Sequence, residues 1–151
     1  MYHPWRHFRT VVSWDLVWAN LPAAIAAETD FKSRTVTLDR GLLQAERRCT
    51  IAHELTHIER GPTLDHPWWE AREEAVVDRI AAGRLVTIDD LGEALAWADH
   101  HAEVAEELWV DVPTVQARLA GLTRDERHYL ASRLAHRHHH HTEEDHHGAH
   151  P

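Results

Sequence analysis

His53 and His57 stand four residues apart in the run Cys49-Thr50-Ile51-Ala52-His53-Glu54-Leu55-Thr56-His57, and no other pattern in the chain restricts its architecture so tightly. The run reads as helix, closed after Ile58-Glu59-Arg60 by Gly61-Pro62. A four-residue step returns to the same helix face with Cβ atoms about 5–6 Å apart, so two imidazoles can grip one ion. The 3.6-residue period puts Ile51, Leu55 and Ile58 on one stripe and the two histidines nearly opposite. A helix of this kind packs its aliphatic side on a core and turns its imidazoles to a cleft, where another element has to complete the ligand set. Glu54 cannot meet the same ion head-on but can reach a water beside it, which is the HExxH arrangement of a zinc hydrolase. In a chain with 16 histidines among 151 residues, the bland alternative is a pair of surface histidines on an amphipathic helix. The aliphatic stripe and the Gly-Pro stop count against it.

A zinc site with an open position for water needs a third protein ligand. The next helical run, from about Trp68 to Leu85, carries Ala71, Glu74, Ala75, Asp78, Ala82 and Leu85 on one stripe. That pattern predicts two inward carboxylates, which are costly unless paired or bound to metal. Glu74 is therefore the expected third ligand. Asp78, one turn on, is the expected acceptor for a ligand histidine N–H, fixing its tautomer. Glu73 competes but lies about 100° around the helix. The alternative for both acids is pairing with arginines such as Arg47 or Arg72. Zinc suits two imidazoles and a carboxylate, although manganese or iron could take the same ligands.

The segments RRCTIAHELTHIERG and EEAVVDRIAAGRLV together resemble the ImmA/IrrE family of metallo-endopeptidases. In that family a glutamate ligand follows the HExxH helix, with an acidic or amide residue four positions later and then alanines and a leucine. Glu74, Asp78, Ala81, Ala82 and Leu85 take those places, and Val86-Thr87 stands where the family often has Met-Pro. The resemblance covers roughly residues 34–133. It implies a short sheet against a helical bundle, and substrates that are regulatory proteins, often helix-turn-helix repressors.

Length suits one domain. The expected fold is α+β, mostly helical, with a small antiparallel sheet against the HExxH helix and a C-terminal helical bundle. Residues 1–135 form the expected domain, and residues 136–151, HRHHHHTEEDHHGAHP, an expected disordered tail holding eight of the histidines. That tail either binds zinc or nickel loosely or is simply solvated. The β-branched runs at residues 9–14 (RTVVSW) and 34–39 (RTVTLD) are the expected strands. Helices are expected over residues 44–60, 67–85, 88–98, 102–109, 113–120 and 123–134, the last opened by the capping box Thr123-Arg124-Asp125-Glu126.

A formal charge of −9 argues against a phosphate backbone as partner and favours protein or peptide. Residues 103–122 have the outline of a helix-turn-helix, but Glu103, Glu106, Glu107 and Asp111 would repel DNA and Arg118 alone would attract it. No apolar run reaches membrane-span length, and the N-terminal residues lack a signal-like apolar segment. The single cysteine, Cys49, agrees with a reducing cytoplasm and is expected to serve packing. Among seven tryptophans, Trp5, Trp14, Trp18, Trp97 and Trp109 are expected in the core, while Trp68 and Trp69 could equally line a cleft. The leading expectation is a cytoplasmic zinc endopeptidase with His53, His57 and Glu74 as ligands, Glu54 as general base and one Zn2+ per chain. His66, His100, His101, His128 and Tyr129 are open candidates for an oxyanion donor. The rival class is a non-catalytic, metal-stabilised module that associates with a repressor or toxin.

Overall fold

The computed structural model describes residues 2–62 and 66–140. In chain order its elements are α1 (Pro4–Phe8), β1 (Asp15–Ala19), β2 (Ala27–Asp30), β3 (Thr35–Asp39), α2 (Gln44–Arg60), α3 (Pro67–Leu85), α4 (Ile88–Trp97), α5 (His101–Leu108), α6 (Val112–Ala120) and α7 (Arg124–His140). This is the expected α+β class. Two apolar clusters make the core, and both use α2. Ile51 and Leu55 meet Val36 and Leu38 of the sheet, while Cys49 and Ala52 meet Ala81, Leu85, Leu91, Val104 and Val115 of the helices. One helix therefore joins the two halves, which makes them a single domain.

The sheet departs from expectation in composition and sense. Residues 9–14 are not a strand. Pro4 presets a first helical turn, the chain then reverses at Ser13 with φ of 76°, and Val12 is left 85 % exposed. Pairing starts only at Asp15, where Leu16 and Trp18 alternate toward the sheet's apolar cluster. The strand order is β1-β3-β2, with β1 parallel and β2 antiparallel to β3. β2 was not expected, because four residues of Ala-Glu-Thr-Asp carry little β signal. It forms as one arm of a hairpin whose turn is held by the Asp30 carboxylate, which accepts from Lys32 N–H at 2.8 Å and from the Ser33 hydroxyl at 2.7 Å. Because β2 takes one side of β3, β1 pairs on the other, and the sheet is mixed rather than antiparallel.

The helix ends follow local chemistry. Glu46 reaches back to Leu43 N–H at 2.6 Å at the start of α2, and Gly61, at φ of 85°, ends it in a conformation that disfavours side-chain-bearing residues. Thr87 caps α4 through Asp90 N–H at 3.1 Å. Thr123 and Glu126 exchange hydrogen bonds of 3.2 and 2.9 Å at the start of α7. That helix continues through His140, past the boundary expected at His136, and residues 141–151 lie outside the described residues.

Two burial expectations fail. Trp97 and Trp109 are 85 % and 51 % exposed and Trp5 sits at the surface, stacked on Trp18. Trp14 and Trp18 alone among those five pack against the sheet cluster. The buried residues of the helical core are mostly valine, alanine and leucine, with no indole among them. On α3 the buried side chains are Val77, Ala81, Ala82 and Leu85, whereas Ala71, Glu74, Ala75 and Asp78 are exposed. The first half of α3 borders a cleft instead of the core.

Candidate metal centre and its cleft

Three faces of α2 have three jobs. One packs on the sheet, one on the helical core, and the third carries Thr50, His53 and His57 toward α3. Glu54 lies between the cleft and the sheet and is 8 % exposed. Across from this face, Glu74 projects from α3. His53 Nε2 and His57 Nε2 are 3.0 Å apart, and each is 3.2 Å from one oxygen of the Glu74 carboxylate. Donor atoms on a tetrahedral ion at about 2.1 Å stand about 3.4 Å from one another, so the spacing fits zinc with only slight opening. Among the described residues this is the group of histidines and acids close enough to hold a metal.

Asp78 Oδ1 lies 2.9 Å from His53 Nδ1. Donation from Nδ1 to that carboxylate leaves the Nε2 lone pair for an ion. Burial pulls the His53 pKa down, but the hydrogen bonds to Asp78 and Glu74 and the charge of Glu54 outweigh it and hold the value well above the ordinary histidine range. The His53 hydrogen bond lowers the Glu74 pKa in return, against the opposing effect of burial. Glu74 and Asp78 are nevertheless half exposed, at 52 % and 51 %. The sequence argument that burial alone would force them onto a metal is thus incorrect in its premise, although both acids face the histidines. Neither pairs with Arg47 or Arg72: Arg47 donates to Arg40 O at 2.9 Å and Arg72 lies over the Trp68 ring. Glu73, the competitor, points away into a two-pronged ion pair with Arg60.

Thr29 of β2 was missed by sequence reasoning. Its hydroxyl donates to Glu54 Oε2 at 2.6 Å, leaving Oε1 for other work. Nothing in the local sequence signals this, because 25 residues separate the two groups and β2 itself was not foreseen. The Asp39 N–H bond to Ala26 O sets the hairpin's hydrogen-bonded pairs, so the backbone groups of Ala27 and Thr29 face away from β3 at the open edge of the sheet.

The proposed oxyanion candidates do not line this region. His66 caps α3 through Trp68 N–H, and Tyr129 donates to Asp89. Trp68 and Trp69 pack edge to face on each other at 4.6 Å and do not line it either. Cys49 is 5 % exposed, its thiol pKa pushed up to about 11 chiefly by burial, and its Sγ accepts from Asp111 N–H at 3.4 Å. It serves packing, as expected. A cavity of about 430 Å³ opens from His53, Glu54 and Glu74 toward α6, and a second of about 440 Å³ extends past His57, Thr29 and Pro62.

No protein-family model matches this chain, and no curated protein or solved structure matches it. No helix among the described residues is long and apolar enough to cross a membrane.

Proposed function

We propose that this protein is a zinc-dependent endopeptidase of the ImmA/IrrE type, working in the cytoplasm on a regulatory protein such as a helix-turn-helix repressor. The observation that carries the reading is the convergence of His53 Nε2, His57 Nε2 and the Glu74 carboxylate at 3.0 to 3.2 Å beside a carboxylate, Glu54, that binds none of them. The bound ion would supply Lewis acidity and lower the pKa of a water toward about 7. His53, His57 and Glu74 would hold that ion, and Asp78 would keep His53 in the ligand tautomer. Glu54 would take the water's proton at Oε1 while Thr29 holds Oε2, the water's oxygen would bond to the scissile carbonyl carbon, and Glu54 would return the proton to the leaving amine nitrogen as the peptide bond breaks. The open edge of β2 beside Ala27 and Thr29 suits an extended backbone. A purely associative module would have no use for Glu54, so its placement favours the enzyme over the binding module.

The test is incubation of zinc-loaded wild type and Glu54→Gln with the regulator encoded beside this protein, read by intact mass. Cleavage by wild type alone, with zinc content equal in both, is the expected result. Equal cleavage by both removes the mechanism.

A further inference from the structure

The cavity between the metal centre and α6 has a wall chemistry that Glu54 and the three ligands do not explain. Its lining includes Ala81 and Ala82 of α3, Ala117 of α6, and the segment around Ala24 and Ile25. The whole cavity, from His53, Glu54 and Glu74 to these small side chains, has a volume of about 430 Å³, room enough for a long side chain laid against the alanines. Besides Glu54 and Glu74, two further carboxylates line it, Asp78 and Asp111, and no lysine or arginine does. Asp111 is fixed in place. Its N–H donates to Cys49 Sγ, and its Oδ1 accepts from Thr114 N–H at 2.8 Å as the N-cap of α6, which leaves Oδ2 without a capping role. A divalent ion at His53, His57 and Glu74 would not reverse the local sign, since Glu54, Glu74, Asp78 and Asp111 together carry twice its charge.

Resting on the peptidase reading above, we infer that this lobe is a specificity subsite that takes a lysine or arginine side chain of the polypeptide substrate. The aliphatic stem lies along the alanines and the cationic head meets Asp111. The substrate class is therefore a polypeptide with a basic residue next to the bond at the metal centre, and the acidic residues of the lobe discourage an aspartate or glutamate there.

The experiment is selection of a randomised, displayed octapeptide library on the full chain, zinc-loaded and carrying Glu54→Gln, so that recognition is read without turnover. Lysine and arginine should be enriched at one position. Adding Asp111→Asn, which keeps an N-cap residue but drops the charge, should cut that enrichment roughly fivefold, as for one solvent-screened ion pair. Ala117→Leu, which adds bulk to the lining, should cut it as well, and both variants should retain zinc. Enrichment of apolar or acidic residues, no enriched position, or a basic preference that survives both variants overturns the subsite. Selection of basic peptides that wild type then fails to cut would remove the peptidase and leave the subsite standing. Cleavage with no basic preference would do the reverse.

Discussion

The two helices that meet across the cleft both carry functional side chains, yet different forces hold them. On α2 the residues between and beside the histidines are in the core: Ile51, Ala52 and Leu55 have no exposure and Thr56 has 1 %. Packing fixes the helix that aims the imidazoles, and Asp78 then holds the His53 ring at 2.9 Å. On α3 the buried apolar anchors all lie in the second half, at Val77, Ala81, Ala82 and Leu85. Its last carbonyls are also gripped, since the buried Arg48 donates to Leu85 O at 3.3 Å and the buried Arg118 to Val86 O at 2.9 Å. Glu74 projects from the first half, which lacks buried apolar anchors and is tied to α2 by the ion pair of Glu73 with Arg60. The lesson is that one ligand pair is preorganised by the fold, while the third ligand is positioned largely by what it binds.

Truncating the packed side should have the largest effect. Leu55→Ala removes a fully buried side chain between the sheet and α2, and should cost about 3 kcal/mol in urea denaturation. Glu74→Ala should change metal-free stability by less than about 1 kcal/mol, since its ion pairs are half exposed, while abolishing stoichiometric zinc binding. Equal destabilisation by both would break the comparison.

Zinc itself sharpens it next. At free zinc a hundred times its Kd the folded state should gain about 2.7 kcal/mol. Hydrogen exchange should place the extra protection in the first half of α3 rather than in α2. Uniform protection of both helices would show that α2 is not preorganised.

The anchored end of α3 can be loosened through acid. Glu126 accepts from Arg118 at 2.5 Å, and that hydrogen bond holds the Glu126 pKa down at about 2. A carboxylate with a depressed folded pKa contributes stability above its unfolded value of 4.5 and loses it as pH falls through about 2. Glu126→Gln should therefore cost about 2 kcal/mol at pH 7, because it leaves the buried Arg118 without its carboxylate. The gap to wild type should close in melts recorded between pH 4.5 and 2.

The smallest effect tests the sheet's share in the site. Thr29→Val keeps a β-branched residue in β2 but removes the hydroxyl that restrains Glu54. Turnover should fall about tenfold with zinc content unchanged, the size of one hydrogen bond to a charged group. Thr29→Ser should recover most of it. Loss of zinc in Thr29→Val would mean that the strand shapes the ligands as well.

Legibility in the sequence followed the range of the interactions concerned. The bounds of α2 and α3 were readable because helix stops and caps act over a few residues, as Gly61, Pro67 and Thr87 do. The His53–His57 pair and the i+4 relation of Glu74 to Asp78 were readable for the same reason, since helical periodicity is a local property. The strand at residues 9–14 was misread because β-branched content reports a preference that only a partner strand can realise, and the partner, β3, selected Asp15–Ala19 instead.

What the linear order of residues determined by itself is the pair of helices and the identity of the groups able to meet across them. What only the tertiary structure decided is which acids face the histidines without being buried, which strand edge lies open beside Glu54, and that Thr29 restrains it. Helical spacing is set by hydrogen bonds between residues four apart, so it survives in any local window. The other choices depend on pairings such as Thr29 with Glu54 and Asp78 with His53, each 25 residues distant, and such pairings exist only after the core has closed around α2.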